Sequence, residues 1–294
     1  LNQTRPAKEI IVVDDASTDR TAGIARSFGE RVKVLVNEVN SGPGHSRNAG
    51  VAASTGDYLA FLDADDKWLP VHLDNLAGLL DKWPEAGFAY GLVQVFGTRS
   101  ELGPHFPDLT SDVPHSIFLR LMRTTVLLPT TALVRRKSFD AVEGFKEIVE
   151  MRRGRRVQVE DYDFFLRLSA HYPGIQSSEI TACYRTYEGQ SNVVRDWQMF
   201  LEFKYRMRLI QQLQDRPQGH PDLPAAIERM QRAWEQQLRE AWVQGKTSYL
   251  RALIRWGCDV SYLLAASDYY RWRAWTPAWA LRLGRRLGRF VCAR

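Results

Sequence analysis

Residues 57–66 read Asp-Tyr-Leu-Ala-Phe-Leu-Asp-Ala-Asp-Asp, an apolar run that ends in a group of acidic side chains. The apolar part predicts a buried β-strand, and Asp63, Asp65 and Asp66 then lie in the turn that follows it. Two carboxylates separated by one residue at a strand end can bind a hard divalent cation through oxygen. A capped turn with solvated acids is the structural alternative. An EF-hand loop is excluded, because Lys67 would occupy its fifth position and its sixth would not be glycine.

Similar strands precede this turn. Residues 9–13 form a mostly apolar run that is followed by Asp14 and Asp15. Residues 32–36 form a second apolar run, and residues 45–53 have a helical pattern. Strands that alternate with helices at this spacing predict a three-layer α/β/α fold with a mostly parallel central sheet. Because the carboxyl ends of parallel strands meet at one edge of a sheet, we expect both acidic turns to lie together there.

The composition of the chain changes near residue 195, after which helical patterns are separated by breaks rich in proline and glycine. We therefore predict an α/β domain over residues 1–195 and a helical region over residues 196–294. The remaining elements are predicted as strands at residues 87–96 and 131–134, and as helices at residues 68–80, 160–168, 197–213, 225–243 and 248–266.

Positive charge is concentrated at the end of the chain. The whole sequence carries +6, whereas residues 271–294 contain seven arginines and no acidic residue, which leaves the rest near neutral. The net positive charge of the chain therefore comes from this tail, and no nucleic-acid partner is predicted for the rest of the protein. The tail can form an amphipathic helix with Trp275 and Trp279 on its apolar side, which suits an anionic membrane surface. Packing of this helix on its own domain is the alternative.

The three cysteines are widely spaced and show neither metal-ligand spacing nor a disulfide framework. They indicate a reducing compartment. No run of about 18 apolar residues and no secretory signal is visible in the sequence. The sequence thus predicts a cytoplasmic protein whose tail could bind peripherally to the inner face of the cell membrane.

The acidic turns belong to a series of motifs in a fixed order. The series begins with Asp14-Asp15-x-Ser17-x-Asp19, Asn40-x-Gly42-x-x-x-x-Arg47-Asn48-x-Gly50 and Gly56-Asp57-Tyr58-x-x-Phe61-Leu62-Asp63-x-Asp65-Asp66. It continues with Pro129-Thr-Thr-x-Leu-Val-Arg-Arg136, Gly144-Phe145 and Glu160-Asp161-Tyr-Asp-x-x-Leu-Arg-Leu168. Over about residues 8–195 the chain resembles the family 2 glycosyltransferases of the GT-A fold. The resemblance implies inverting transfer of a sugar from a nucleotide-sugar donor, expected to be UDP-linked, to a glycan or lipid-linked acceptor, as in cell-surface polysaccharide synthesis.

The resemblance also implies roles for residues of the donor site. Asp14 or Asp15 would accept a hydrogen bond from the nucleotide base, and Arg47 would lie over the base or the phosphates, where a planar cation suits both. Asp63 would contact the ribose and the metal site. Asp65 would be the principal protein ligand of Mg²⁺ or Mn²⁺, which stabilises charge on the departing nucleoside diphosphate. Turn formation by the first two acids, and an ordinary surface position for Arg47, are the structural alternatives.

Asp161 is the candidate general base, because inverting transfer needs one carboxylate to take the proton of the acceptor hydroxyl. Glu160 is adjacent, and the N-terminus of a helix favours both carboxylates. Asp163 could serve instead, and Asp66 is a further secondary candidate. All of the acids at the helix could also act merely as caps. Many relatives carry a metal-binding histidine after the segment that corresponds to Tyr184, but no histidine stands there in this chain.

Two other functional classes share features with this sequence. A sugar-phosphate nucleotidyltransferase would show a glycine-rich phosphate loop near its start, and none is visible. An inactive carbohydrate-binding relative is disfavoured by the presence of both Asp65 and Asp161.

Family members carry a strand and a helix before the segment that opens this chain, so we also expect a truncated domain that lacks the central strand of the sheet.

Overall fold

The computed structural model describes residues 1–98, 113–122, 127–147, 149–152, 155–187, 195–214 and 220–244. The chain divides into two compact units, Leu1–Val194 and Arg195–Arg294. The predicted helix at residues 248–266 and the basic tail at residues 271–294 lie outside the described residues. None of the helices in the described ranges is long and apolar enough to span a membrane.

Strands and helices alternate from the start of the first unit, as predicted. Its strands are β1 (Ile11–Asp14), β2 (Lys33–Val36), β3 (Tyr58–Ala60), β4 (Lys67–Trp68), β5 (Phe88–Gly97), β6 (Ala132–Arg135), β7 (Val149–Arg152), β8 (Arg155–Gln158) and β9 (Gly174–Thr186). Its helices are α1 (Thr21–Arg26), α2 (Pro43–Ala52), α3 (His72–Lys82), α4 (Phe118–Leu121), α5 (Arg136–Ala141) and α6 (Glu160–Ser169).

The described strands of this unit form two sheets and a hairpin. β1 pairs with β2 in parallel, and the hairpin joins β7 to β8. The larger sheet has the order β3-β6-β5-β9-β4. Within it β5 and β9 are parallel, while β6 and β4 run antiparallel to their neighbours. Fewer pairings are parallel than the sequence predicted, because β6 runs antiparallel to both of its neighbours and the short β4 runs antiparallel to β9.

Helix α3 covers one face of the larger sheet. Its apolar residues recur at helical spacing, and Leu76 and Leu80 are fully buried among Ala89, Leu133 and Ile175 of the sheet. Burial of each leucine contributes about 1.5–3 kcal/mol. The helix begins four residues later than the sequence predicted, because Trp68 pairs with β9 as part of β4.

An aromatic cluster fixes α6 against the end of β3. Phe145 stacks on Phe164 of α6 with ring centroids 4.3 Å apart, and it meets Phe61 edge-on at 5.2 Å. The Asn48 side chain of α2 bonds to both backbone polar groups of Phe145, donating to its oxygen at 2.8 Å and accepting from its nitrogen at 3.0 Å. These contacts bring the first turn of α6 to the acidic turn that follows β3.

A cavity of about 960 Å³ is lined by both β1 and β3. Its lining includes the apolar residues Val13 and Phe61 and the polar residues Asp15, Arg47 and Asp63. Among the described strands, β1 pairs with β2 alone and β3 with β6 alone. The expectation that the domain lacks the central strand of its sheet stays a prediction.

The second unit contains two described helices, α7 (Arg195–Gln214) and α8 (Leu223–Val243). They pack through Phe203 and Trp234, whose ring centroids are 4.9 Å apart. Both side chains are fully buried. The helices predicted at residues 197–213 and 225–243 are thus confirmed.

Candidate active site

The acidic turn after β3 is held in place by Asp66. Its buried carboxylate accepts a hydrogen bond of 2.7 Å from the Thr130 hydroxyl and one of 2.9 Å from the backbone nitrogen of Arg185. Its own backbone nitrogen donates to the oxygen of Asp63 at 3.0 Å, which closes the turn. Burial raises the pKa of Asp66 above its ordinary value. This residue therefore shapes the turn that presents the other two acids.

Asp65 presents the carboxylate that the turn leaves unused. No residue in the described ranges gives its side chain a hydrogen bond or an ion pair, whereas its backbone oxygen accepts a bond of 2.9 Å from Arg185 Nε. The described residues hold no group of three or more acidic, histidine or cysteine side chains that could form a complete metal site. The acidic turn fits a cation that is held, as Mg²⁺ usually is, by one or two carboxylates together with substrate phosphates.

Arg47 joins the acidic turn to α6. Its guanidinium lies 2.7 Å from Asp63 Oδ1 and 3.1 Å from Glu160 Oε1, and its side chain is only 13% exposed. Burial acts to lower the pKa of Arg47, but the two carboxylates outweigh it and the net shift is upward. The alternative that Arg47 is an ordinary surface residue is therefore wrong. Its contact with a nucleotide base or phosphate stays a prediction.

The first turn of α6 brings two acids to the same site. Burial raises the pKa of Asp161, and Arg47 offsets part of that rise. Burial also raises the pKa of Glu160, and the neighbouring Asp161 carboxylate adds to the shift. A β-carbon on Gly44 would lie 3.0 Å from the Glu160 side chain, so α2 approaches α6 closely because of this glycine. A carboxyl with a raised pKa is suited to accept a proton near neutral pH.

Asp163 does not share this position. Its carboxylate is buried and lies 2.7 Å from the Arg167 guanidinium, one turn along α6. Arg167 in turn donates to the backbone oxygens of Val142 and Gly144. Asp163 is thus part of an ion pair that fixes the preceding loop, which leaves Asp161 as the better candidate for the base.

Asp14 and Asp15 both organise turns. Asp14 is buried, and its carboxylate accepts a hydrogen bond of 2.7 Å from the backbone nitrogen of Ser17. Asp15 accepts bonds of 2.8 Å from Asn37 Nδ2, 2.8 Å from the nitrogen of Ser41 and 2.7 Å from that of Gly42. Burial acts to raise the pKa of Asp15, but these bonds outweigh it and lower the pKa. The turn-forming alternative describes what both acids do, and their contact with a nucleotide base stays a prediction.

Two residues of the site were not identified from the sequence. Thr130 bonds to Asp66 and also accepts a bond of 3.3 Å from the backbone nitrogen of Asp63. Tyr184 follows Cys183, which pairs with Lys67 just after the acidic turn, and burial together with the carboxylates of Asp66, Asp65, Asp63 and Asp161 raises the pKa of its hydroxyl. Thr130 belongs to the motif that begins at Pro129, so the sequence pattern had marked its segment. The second lies within the long strand β9, at the segment after which many relatives carry a metal-binding histidine, but no role was predicted for the tyrosine itself.

An α/β domain with this acidic turn, an adjoining cavity and a carboxylate at the start of a facing helix has the architecture of a GT-A glycosyltransferase. Residues 1–142 match the model of glycosyl transferase family 2. The first 142 residues, just under half of the chain, are therefore similar to this family.

Relatives and solved structures agree with the assignment. The chain is 30% identical to the succinoglycan biosynthesis protein ExoU of Rhizobium meliloti, over 64% of this chain and 54% of ExoU. It is 33% identical to the UDP-Glc:alpha-D-GlcNAc-diphosphoundecaprenol beta-1,3-glucosyltransferase WfgD of Escherichia coli, over 35% of this chain and 41% of WfgD. The chain thus spans about half the length of these curated relatives.

The mannosyltransferase PcManGT of Pyrobaculum calidifontis, solved with GDP-Man and Mn²⁺, has the same fold. It superposes with a TM-score of 0.58 over all of this chain and 81% of that protein, at 17% identity. This likeness confirms the predicted GT-A fold class.

Proposed function

We propose that this protein transfers a sugar from a nucleotide-sugar donor, UDP-linked, to a glycan or lipid-linked acceptor with inversion at the anomeric carbon. One observation carries the proposal: the carboxylate of Asp65, which has no partner among the described residues, and the carboxyl of Asp161 come from segments about 100 residues apart, and Arg47 joins these two segments by its ion pairs with Asp63 and Glu160. A donor held at the first and an acceptor held at the second would meet between them.

Asp161 supplies the base in this reaction. Its carboxylate takes the proton of the acceptor hydroxyl as that oxygen attacks the anomeric carbon. The bond from the anomeric carbon to the phosphate oxygen breaks on the opposite face, and the nucleoside diphosphate leaves. A single displacement of this kind inverts the configuration. Arg47 keeps Asp63 and Glu160 in place around the reacting atoms.

A divalent cation, Mg²⁺ or Mn²⁺, would bind Asp65 and stabilise the charge on the departing diphosphate. The half-exposed position of Asp65 supports this role, as does the solvent-facing side of Asp63. The presence of Mn²⁺ in the PcManGT structure adds support from a protein of the same fold.

The substrate classes rest on the relatives. WfgD is named for a UDP-linked donor and a lipid diphosphate acceptor, and ExoU for the synthesis of a polysaccharide. We infer that this chain acts in cell-surface polysaccharide synthesis. The match of residues 1–142 to glycosyl transferase family 2 favours this function over a nucleotidyltransferase.

A panel of UDP-, GDP- and dTDP-sugars tests the proposal. The purified chain should hydrolyse or transfer from one of them with Mn²⁺ or Mg²⁺, and EDTA should stop the reaction. Asp65→Asn should abolish turnover, whereas Asp74→Asn, at an exposed acid of α3, should not. Donor turnover that is equal with and without metal, or that survives in Asp65→Asn, would contradict the metal role. No reaction with any donor, under conditions where the protein is folded, would contradict the transferase.

A membrane contact is proposed on the sequence alone. Residues 271–294 hold seven arginines and no acid, so we propose that they bind anionic lipid headgroups. Removing them should release the protein from vesicles that contain phosphatidylglycerol. Equal binding of the full and shortened chains at low and moderate salt would favour packing of the tail on its own domain.

A further inference from the structure

The indole of Trp68 contacts the residue that supports the acidic turn. Trp68 lies in β4, three residues after Asp65, and is half-buried. Its Nε1 donates a hydrogen bond of 2.8 Å to the backbone oxygen of the fully buried Thr130. The hydroxyl of the same threonine donates to the Asp66 carboxylate and accepts from the backbone nitrogen of Asp63. Thr130 thus links the indole to both ends of the turn.

The ring of Trp68 is itself held by a buried histidine. His72, the first residue of α3, stacks on the indole with ring centroids 4.5 Å apart and planes inclined by 11°. Burial lowers the pKa of His72 to about 4, so the imidazole is uncharged near neutral pH. Its Nδ1 lies 3.0 Å from the hydroxyl of Thr181, and this contact fixes the plane of the ring.

Thr181 has room for this contact because β5 carries a glycine beside it. A β-carbon on Gly91 would lie 2.1 Å from Thr181 Oγ1, so any larger residue would displace the hydroxyl. The backbone oxygen of Thr181 also accepts a hydrogen bond of 2.9 Å from the nitrogen of Leu69, the residue after Trp68. Strand β9 therefore fixes both the histidine and the backbone that carries the indole.

Packing alone does not account for the polar atoms of these two rings. Trp68 packs against an apolar cluster that includes Leu73 and Leu76, where a purely apolar ring would also fit. The Nε2 atom of His72 is buried and has no hydrogen-bond partner in the part of the chain that the structure describes. Such an atom destabilises the folded state, and a phenylalanine would avoid it. The rings therefore point to a role beyond filling the core.

We propose that Trp68 is a positioning residue for the acidic turn, held by His72 and acting through Thr130. The indole N–H fixes Thr130, and Thr130 fixes the turn on both sides of Asp65. The direction of the Asp65 carboxylate is then set before a ligand arrives, and pre-organisation of this kind lowers the cost of binding. The benefit to a nucleotide rests on the proposed function, whereas the fixing of the turn does not.

Hydrogen exchange in the ligand-free protein tests whether the indole fixes the turn. Trp68→Phe keeps an aromatic ring but removes the donor to Thr130. The amide of Asp66 reports on the turn, because it closes the turn by a bond of 3.0 Å to the Asp63 oxygen. This amide should exchange about tenfold faster, the effect of losing one hydrogen bond to a buried group. The amide of Arg135, on β6, should keep its rate, and an equal rise at both amides would overturn the proposal.

Variants of His72 test the support that the stacked ring gives. His72→Leu removes the ring and should also speed exchange at the Asp66 amide, whereas His72→Phe keeps a ring and should restore the slow rate. If His72→Leu exchanges as slowly as the unsubstituted protein, the histidine does not hold the indole and this part of the proposal is wrong.

Leu80→Ala is the control for a general loss of stability. Leu80 is fully buried and lies on the same helix, about 12 Å along its axis from His72. Its loss should lower the urea midpoint and leave the ratio of the Asp66 and Arg135 exchange rates unchanged. A ratio that rises as much in Leu80→Ala as in Trp68→Phe would overturn the proposal.

Nucleotide binding then tests what the fixed turn contributes to the site. Titration calorimetry with UDP and Mg²⁺ should show about tenfold weaker binding in Trp68→Phe and unchanged binding in Leu80→Ala. Faster exchange at the turn with unchanged UDP affinity would overturn the positioning role. If the unsubstituted protein binds no UDP, the proposed UDP-linked donor is wrong, and the exchange rates still decide whether Trp68 fixes the turn.

Discussion

Replacement of Asp161 by asparagine should separate catalysis from stability. The amide keeps the shape of the side chain and can still accept the hydrogen bond of 2.7 Å that the Tyr162 backbone nitrogen gives to Asp161 Oδ1. It cannot take a proton from the acceptor. General-base catalysis contributes on the order of 10²–10⁴ in rate, so kcat should fall by that factor, or about 2.7–5.5 kcal/mol of activation free energy.

The same substitution should not weaken the fold at neutral pH. The folded protein raises the pKa of Asp161 above its unfolded value. Ionisation therefore costs stability as pH rises from the unfolded pKa through the folded one, and the full cost is present above both. An amide carries no such cost. Asp161→Asn should thus be at least as stable as the unsubstituted protein at pH 8 and should lose this advantage below about pH 4.

Asp163→Asn provides the control on the same helix. It breaks the buried pair with Arg167, which costs about 3–5 kcal/mol when one partner is left alone. Urea unfolding at pH 8 and at pH 4, with kcat and donor affinity measured for both variants, completes the comparison. A kcat within about threefold of the original in Asp161→Asn, or a collapse of donor affinity with normal turnover of bound donor, would refute the assignment of the base.

Three further outcomes are expected. The rate should fall as pH drops through the raised pKa of the Glu160–Asp161 pair, at a higher pH than an ordinary carboxyl gives, and a pH–rate profile without this acidic limb would contradict the pair's role. Thr130→Val should cost about 1.5–3 kcal/mol in urea unfolding, because the buried Asp66 carboxylate loses a charge-assisted bond; a cost below 0.5 kcal/mol would show that Asp66 does not depend on it. Leu76→Ala should cost about 2–5 kcal/mol, because it opens a cavity under α3, and an unchanged urea midpoint would show that this face is not core.

Local sequence patterns were enough to predict the acidic turn and the helix that carries Asp161. β3 begins an apolar run that ends in acids, and α6 has buried apolar residues at helical spacing. The helical spacing in α6 is that of the buried Phe164, Phe165 and Leu168. Both signals lie within about ten residues, where the periodicity of side chains decides the structure.

Interactions between segments that are distant in the sequence could not be predicted from local patterns. Arg47 meets Glu160 across 113 positions, and Thr130 meets Asp66 across 64. Tyr184 reaches the acids only because β9 lies beside β4 in the sheet. The same limit applies to β4 itself, whose two residues have no strand pattern of their own and pair because β9 offers an open edge.

The stereochemistry of the transferred sugar tests the central claim most directly. Once a donor has been found, the anomeric proton of the product can be followed by NMR from the first turnover. A single displacement with Asp161 as base predicts a product whose anomeric configuration is inverted relative to the donor. A product that retains the donor's configuration would contradict this account of the site.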